Sequence, residues 1–456
     1  MKSRSFHHFA FLHLISLFLI SSQANGQWMA RSYYSLIKDA ADILIIKVNR
    51  IAGEPYGEKA VAHVERSYKK NVHSDSIELP FVYSSWPTGK KNEMASVSEI
   101  IPVSFEDGKR YVVLVRKSRQ TFYDNPHAAK TEYEVVNYPN ATYFKINDDK
   151  DSRVLRIEQL LKTADENDAE AKSDSLLAMI HSNDNGKRND AIEALIDLKS
   201  EKATDAFIAV LRNDPDSTVR YTAARGLGYL HSDSIVSVLM ESLQKEKVNF
   251  VKYQIIVSLG ERRAKIAAPM LLKLYETELY DNRNAILETI SALGDSTVVP
   301  SLIHLFSIDQ DLQHRRLMAQ TISSFHTLEA DEFSSALLDT AKTYWLKSAV
   351  IYGWSRSTYT KGFDKIARWT SIPCASDDHP SKVMAEIQGL AFPLLRAIEK
   401  LGKPDQIAST LKVYSTCSDP AIRDMAVRIL KEQMAKNITT ELRKEIDVEI
   451  KTFPTQ

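Results

Sequence analysis

The sequence predicts a multidomain protein in which a small N-terminal β-barrel precedes an all-α solenoid of stacked helix pairs. Three observations lead to this fold class. A leucine-like anchor recurs at a fixed spacing between residues 187 and 326, strand-type patterns fill residues 28–147, and an apolar run opens the chain. A fixed period of this length marks a stacked repeat array, and about six short strands suit a small barrel.

The repeat is defined by its anchors, which are separated by 32, 32, 34 and 32 residues. The anchors are Leu195, Leu227, Leu259, Leu293 and Phe325. The residue before each anchor is small, which predicts close approach of a neighbouring helix. A glycine follows three of the anchors, at positions 228, 260 and 294, and predicts a left-handed helix end there.

Each copy of the repeat reads as two antiparallel helices. In the second copy a short helix covers residues 204–211, and a polar break follows. Asp216 or Ser217 can cap the next helix by accepting hydrogen bonds from its first free amides. That second helix carries Val219, Ala223 and Leu227 on one side, an apolar stripe that we expect to pack in the core.

These residues resemble a known family. The segment Asp214-Pro215-x-x-x-Val219-Arg220-x-x-Ala223-Ala224-x-x-Leu227-Gly228 looks like the second helix of a HEAT repeat of the phycobilisome-lyase-like kind. A similar segment, Asp419-Pro420-x-Ile422-Arg423-x-x-Ala426-Val427-x-x-Leu430, lies near the C-terminus. The resemblance implies that Arg220 and Arg423 brace neighbouring repeats and that the array is a binding scaffold. The lyase name implies no activity here.

The first 26 residues have the pattern of a secretory signal peptide. Lys2 and Arg4 precede an apolar run, residues 9–20, that is too short to span a bilayer, and small residues offer cleavage sites after Ala24 or Gly26. The sequence therefore predicts a secreted or periplasmic protein with no transmembrane segment after removal of the signal. The formal charge then changes from zero to −2, which argues against nucleic acid as the main partner.

Residues 27–150 form the predicted β-barrel domain. A short helix over residues 31–40 precedes six strand patterns: 43–48, 59–68, 76–83, 111–115, 132–138 and 142–146. Ala41-Asp42-Ile43-Leu44-Ile45, Ala62-His63-Val64-Glu65-Arg66-Ser67-Tyr68-Lys69 and Phe105-x-x-Gly108-Lys109-Arg110-Tyr111 are similar to the netrin-like OB barrel of tissue inhibitors of metalloproteinases. Those inhibitors act through an N-terminal Cys, and this chain has no Cys before Cys374. The resemblance therefore implies the fold and not the inhibitory mechanism.

The remaining boundaries follow from composition. Residues 151–172 form a linker or capping helix, 173–327 the HEAT repeats, and 328–456 irregular HEAT-like repeats with a C-terminal cap. Cys374 and Cys417 are the only cysteines, and both lie in predicted breaks between helices. In an oxidising compartment they could form a disulfide, or each could remain a thiol.

The sequence holds none of the spacings that mark a catalytic, phosphate-binding or zinc site. We therefore predict no catalytic residue, no metal and no cofactor, and a protein-binding scaffold that is not an enzyme. The alternative is an enzyme or protease-inhibitor-like protein with its site in the N-terminal barrel or in the loop near Cys374.

The predicted binding face lies opposite the apolar stripe of the second helices, at five and two residues before each anchor and two residues after it. The candidate partner-binding residues are Asp190, Glu193, Asp197, Arg225, Tyr229, Glu261, Glu288 and Asp295. Since most are acidic, we expect a curved acidic stripe. It either receives a basic or polar segment of a protein partner or is merely a solvated surface.

Overall fold

The structure, a computed structural model, describes residues 32–53, 59–80, 85–87, 94–96, 104–117, 131–135, 143–166, 168–325, 327–356, 363–367, 393–417, 420–436 and 438–453. The predicted signal peptide, residues 1–26, lies outside the described residues, and so does Cys374. The chain divides into two compact units, Met1–Val238 and Leu239–Gln456, which we call the N-terminal and C-terminal units.

The N-terminal unit begins with a short helix and an antiparallel sheet. The elements are α1 (Tyr33–Asp39), β1 (Asp42–Ala52), β2 (Lys59–Ser67), β3 (Ser76–Pro80), β4 (Ser85–Pro87), β5 (Met94–Ser96), β6 (Arg110–Lys117), β7 (Tyr133–Val135) and β8 (Tyr143–Ile146). Hydrogen bonds connect the strands in the order β3-β2-β1-β6-β7, β8 pairs with β6 beside β7, and β4 pairs with β5 in a separate two-stranded sheet. Each of the six predicted strand patterns contains an observed strand.

The predicted barrel is not confirmed, because the sheet is open. A barrel closes only when its first and last strands share a ladder of hydrogen bonds. Within the described residues no such ladder joins β3 to β7. β7 has only three residues, and all three pair with the end of β6, so β7 presents little edge to a further strand.

One lysine fixes α1 against the sheet. Lys69 follows β2, and its Nζ donates hydrogen bonds to the carbonyl oxygens of Ile37 at 2.6 Å and Ala40 at 2.5 Å. A cation at the C-terminal end of a helix is favourable because the last carbonyls have no partner within the helix. The contact sets the position of α1, which matters for the repeat array described below.

Nearly all of the remaining described chain is helical. The helices are α2 (Ser152–Ala164), α3 (Ala169–Ile180), α4 (Asn185–Asp197), α5 (Thr204–Asn213), α6 (Ser217–Tyr229), α7 (Ser234–Lys245), α8 (Asn249–Glu261), α9 (Ala268–Tyr275), α10 (Tyr280–Leu293), α11 (Val299–Ile308), α12 (Leu312–Ser323), α13 (Leu328–Thr340), α14 (Tyr344–Arg356), α15 (Phe363–Ala367), α16 (393–401), α17 (Pro404–Leu411), α18 (Pro420–Met434) and α19 (Thr440–Thr452). The second helices of the successive copies are α4, α6, α8, α10, α12, α14, α16 and α18.

The predicted anchors are buried, which confirms the register of the repeat. Leu195, Leu227 and Leu259 have no exposed surface, and Leu293 and Phe325 are 2% and 6% exposed. The predicted cap of the second copy is also confirmed. The Asp216 carboxylate accepts hydrogen bonds from the amides of Thr218 at 2.8 Å and Val219 at 3.2 Å.

The prediction of a left-handed glycine at each helix end is confirmed only at Gly294, whose φ is 64°. Gly228 and Gly260 remain inside their helices, and close packing explains the glycine at position 260. A Cβ on Gly260 would lie 3.3 Å from the Thr289 side chain of the next second helix. The left-handed residues after α4 and α8 are Lys199 and Arg263, both at φ 50°.

Ion pairs connect successive copies at a repeated position. In the N-terminal unit Arg188 on α4 binds both carboxylate oxygens of Asp214, at 2.7 and 2.8 Å. In the C-terminal unit the Lys252 Nζ lies 2.6 Å from Glu278. Arg220, for which the resemblance implied this role, donates a hydrogen bond to the Asp214 carbonyl oxygen at 2.8 Å. The brace between copies therefore uses the carboxylate of Asp214, with the arginine of the preceding copy.

Candidate binding surface on the second helices

The start of the array in the N-terminal unit is covered by other elements of the same unit. Asp190 on α4 has no exposed surface, and its carboxylate accepts from Arg156 Nε of α2 and, at 3.2 Å, from the Tyr34 amide of α1. The prediction that Asp190 lies on an exposed face is wrong, because α1 and α2 pack on this side of α4. Asp190 is a structural residue in this arrangement.

The next two acidic candidates are also engaged within the chain. Asp197 is exposed, but its carboxylate accepts from Lys38 Nζ at 2.6 Å and from the Tyr34 hydroxyl at 3.1 Å. Burial and the Asp197 carboxylate raise the pKa of Tyr34, so the hydroxyl remains a donor at neutral pH. The Glu193 carboxylate forms an ion pair with Arg225 of the following second helix.

Tyr229 is the member of the predicted face in this unit whose side chain stays largely accessible, at 50% exposure. Positions five residues before the anchor are buried in the first three copies, at Asp190, Thr222 and Gln254. Thr222 faces the preceding second helix, where its Oγ1 donates to Asn189 Oδ1 at 2.6 Å. The predicted acidic stripe is therefore largely neutralised or buried in the N-terminal unit.

In the C-terminal unit the three predicted acidic residues have different environments. Glu261 at the end of α8 is partly buried. Asp295 follows α10 and accepts hydrogen bonds from the amide and hydroxyl of Thr297, so it caps the next helical turn. Glu288 is partly buried and makes no hydrogen bond or ion pair with any residue that the structure describes. Burial raises the pKa of Glu288 to about 7, although Arg356 and Arg316 act in the opposite direction.

Four arginines, which we call the arginine row, dominate the same side of the C-terminal unit. One lies on each of four successive second helices, α12, α14, α16 and α18: Arg316, Arg356, Arg396 and Arg428. Arg356 and Arg396 are exposed and make no hydrogen bond or ion pair with the described part of the chain. Arg316 contacts Gln313, and Arg428 lies 2.6 Å from Glu432 of its own helix.

Two clefts open along the arginine row. The first, which we call the arginine cleft, has a volume of about 540 Å³ and is lined by Tyr352, Pro393, Arg396, Asp424, Met425 and Arg428. The second, the hydroxyl cleft, has about 390 Å³ and is lined by Ser291, Gly294, Ser296, Ser324, Phe325, Thr327 and Arg356. Residues of α14 line both clefts. The two clefts are suited to bind an anionic group next to apolar and hydroxyl-bearing side chains.

The charges around the row leave it positive. Burial and the Arg356 guanidinium lower the pKa of Lys400, as expected where one cation lies beside another. Burial and a hydrogen bond to the Glu432 carboxyl raise the pKa of Glu399. Of these nearby carboxyls, Glu288 therefore carries less than a full negative charge at neutral pH.

The arginine row was missed at the level of sequence, because the period of 32–34 residues ends near Phe325. Arg316, Arg356, Arg396 and Arg428 are separated by 40, 40 and 32 residues, so a fixed register does not connect them. Three of them follow buried core residues on a helical stripe, as Arg396 follows Leu394 and Leu395, whereas Arg316 has no such signal.

Other predicted site features have separate outcomes. Cys417 is 2% exposed and its carbonyl oxygen accepts from Arg423, while Cys374 lies outside the described residues, so their pairing stays a prediction. The described residues hold no group of three or more His, Cys, Asp or Glu side chains arranged to bind a metal ion. Among the described helices, none has the length and apolar character needed to cross a membrane.

Comparison with known proteins agrees with this architecture. A profile of HEAT repeats matches residues 173–260 and 204–291. No curated protein matches the chain.

Three solved structures are similar at low identity. The complex of CpcE and CpcF of phycocyanin lyase from Nostoc sp. PCC7120 is 19% identical over 59% of this chain and 97% of that chain, with a TM-score of 0.34. YibA of Escherichia coli is 15% identical over 68% and 99%, with a TM-score of 0.34. Human deoxyhypusine hydroxylase is 13% identical over 62% and 96%, with a TM-score of 0.26. The profile match, the paired helices and the buried anchors show that this chain contains HEAT repeats within residues 173–291.

Proposed function

We propose that the chain is a secreted or periplasmic, non-enzymatic scaffold that binds a protein partner on the second-helix side of its C-terminal unit. HEAT-repeat solenoids typically serve as protein-binding scaffolds, because stacked repeats present an extended surface. The observation that carries the proposal is the arginine row. Its exposed members Arg356 and Arg396 have no partner among the described residues.

The contrast with the N-terminal unit supports this location. There the corresponding acidic side chains are engaged by Arg156, Arg225 and Lys38. A charged group that is already paired gains little from a partner, because the existing contact has to be replaced. The C-terminal unit offers exposed donors and two clefts on helices that are fixed by a buried core around Trp354 and Ile398.

The proposed location outside the cytoplasm rests on the N-terminal sequence pattern. N-terminal sequencing of the protein produced in its own cells tests it. A mature chain that begins at Asn25 or Gln27 supports the proposal, and a chain that keeps its first residues contradicts it.

Site-specific crosslinking tests the binding side. A photoreactive amino acid replaces Tyr352 in the arginine cleft, and a matched variant carries it at Lys273, which is exposed on the first helix α9. We expect a discrete crosslinked partner from position 352 and none from 273. Equal crosslinking from both positions, or a partner captured only at 273, would contradict the proposed side.

A further inference from the structure

We propose that the arginine row binds an acidic, extended segment of a partner protein and that the arginine cleft takes an apolar side chain from that segment. The inference rests on the proposed function and deepens it, because it names the chemistry of the partner. It also reverses the charge that the sequence predicted for the ligand, which was a basic or polar segment.

The geometry comes from three adjacent second helices. α14 supplies Tyr352, α16 supplies Pro393 and Arg396, and α18 supplies Met425 and Arg428 to one cleft of about 540 Å³. The rings of Tyr352 and Pro393 and the thioether of Met425 give the cleft apolar surface, and Met adapts to side chains of different shape. A cleft of this size accommodates an apolar side chain with adjoining backbone rather than a folded domain.

The guanidinium groups define the charge of the ligand. Arginine presents a planar fork of donors that matches a carboxylate with two parallel hydrogen bonds. Arg396 and Arg356 are exposed, with no hydrogen bond or ion pair to the described residues, so both forks are open to a ligand. Lys400 lies on α16 one turn after Arg396 and close enough to Arg356 for the two cations to repel each other. An incoming carboxylate relieves that repulsion.

The carboxyls that share the surface do not satisfy the row. Glu432 is held by Arg428 at 2.6 Å and by a hydrogen bond to Glu399. Glu288 is partly buried beside Arg316 and Arg356 without a hydrogen bond to either. Within the part of the chain that the structure describes, positive charge therefore remains at Arg356, Arg396 and Lys400.

A protein segment fits this surface better than a nucleic acid. The chain as a whole has a formal charge of zero, whereas nucleic-acid sites usually lie on strongly basic domains. Asp424 is exposed at the rim of the arginine cleft, where it would repel a continuous phosphate backbone. An acidic peptide can place a polar or apolar residue opposite Asp424 and its carboxylates opposite the arginines.

Fluorescence anisotropy with the full chain tests the inference. The probe is a fluorescein-labelled peptide with glutamates on both sides of a central leucine, and the comparison peptide has glutamines in place of the glutamates. We expect the acidic peptide to bind more tightly, with an affinity that falls as salt rises, because exposed charges are screened. The double variant Arg356→Glu/Arg396→Glu should bind the acidic peptide about tenfold or more weakly.

A matched variant distinguishes an effect of the arginine row from an effect of the net charge of the protein. Lys273→Glu/Lys444→Glu makes the same change in charge on the first-helix side, at two exposed lysines. It should change the affinity less than about twofold. Circular dichroism and thermal unfolding check that both variants are folded. Equal loss in both variants, or equal binding of the glutamine peptide, would overturn the inference.

Two further outcomes distinguish the inference from the function on which it rests. If an oligothymidylate displaces the acidic peptide and binds more tightly, the surface is for nucleic acid and the inference is wrong.

A random peptide library can also be crosslinked from position 352. Captured peptides without acidic residues would refute the inference and leave the binding side intact, whereas capture of no peptide at all would refute both.

Discussion

Two carboxylates at the same position of the repeat have opposite roles in the two units. Asp190 and Glu288 each lie five residues before an anchor, on the second helices α4 and α10. Asp190 is fully buried and bound by Arg156 and the Tyr34 amide. Glu288 is partly buried and has no hydrogen bond with the described residues, and burial raises its pKa to about 7.

The difference shows how a repeat position acquires its role. At the start of the array α1 and α2 supply a cation and an amide, so the carboxylate becomes part of the fold. In the C-terminal unit neighbouring second helices supply Arg316 and Arg356 at a greater distance, so Glu288 has no bonded partner among the described residues. A buried charge with a bonded partner supports structure, whereas one without such a partner is costly and sensitive to pH.

The largest expected effect is at the engaged carboxylate. Asp190→Ala leaves the guanidinium of Arg156 partly buried without its partner and should destabilise the N-terminal unit by roughly 3–5 kcal/mol. Hydrogen exchange in α1 and α4, together with urea unfolding, measures it. The matched variant Asp197→Ala, at the exposed end of the same helix and paired with the exposed Lys38, should cost about 1 kcal/mol or less. Equal costs for the two would remove the distinction between structural and surface carboxylates.

The anchors provide a control, because truncating an anchor should have a similar cost in free energy of unfolding in both units. Leu227 in the N-terminal unit and Leu259 in the C-terminal unit both have no exposed surface. Replacing either by Ala should cost roughly 2–5 kcal/mol, since a truncated core residue loses burial and leaves a cavity. Urea unfolding of the two variants measures it, and a cost below about 0.5 kcal/mol at either site would contradict the register of the repeat.

Glu288, whose carboxyl has no hydrogen bond with the described residues, should make the free energy of unfolding depend on pH. The pKa of Glu288 is about 7 in the folded chain, against an ordinary value of 4.5. Between pH 4.5 and 7 the folded state therefore keeps a proton on Glu288 that the unfolded state has lost. Stability from this group therefore falls as pH rises from 4.5 to 7. Glu288→Gln should be more stable than the natural chain above pH 7, by about 3 kcal/mol.

The measurement for Glu288 is the difference in urea unfolding free energy between variant and natural chain, across pH 4–8. Glu276→Gln, at an exposed turn of the same unit, is the matched control. A difference for Glu288→Gln that stays constant across this range would mean that Glu288 titrates alike in the folded and unfolded chain.

The smallest expected effect concerns two helix ends, one in each unit. Lys199 after α4 and Arg263 after α8 have φ near 50°, a left-handed conformation in which only glycine is free of a steric penalty. Lys199→Gly and Arg263→Gly should each stabilise the protein by about 0.5–1 kcal/mol. Thermal unfolding measures both, with Lys273→Gly inside α9 as a control that should destabilise.

Much of the helical fold could be predicted from the sequence, because each copy repeats the same local chemistry. Buried Leu227 and the Asp216 cap are examples in which period and capping preference agree with the structure. The exposed side of the second helices was predicted less well. Helical periodicity identifies the buried stripe, but the positions beside it are buried or exposed according to how the neighbouring helix packs, as Thr222 and Gln254 show.

The sequence by itself determined the repeat, its anchors, the strand segments and the polar breaks, since these depend on residues close together in the chain. Only the tertiary structure decided which charges are engaged and which are open. Asp190 and Arg156 are 34 residues apart, and Lys38 and Asp197 are 159 residues apart, so no local pattern connects them. The arginine row likewise depends on the packing of α12, α14, α16 and α18. Electrostatic roles are set by distances in space, and these follow from the folded chain and not from the spacing of residues in the sequence.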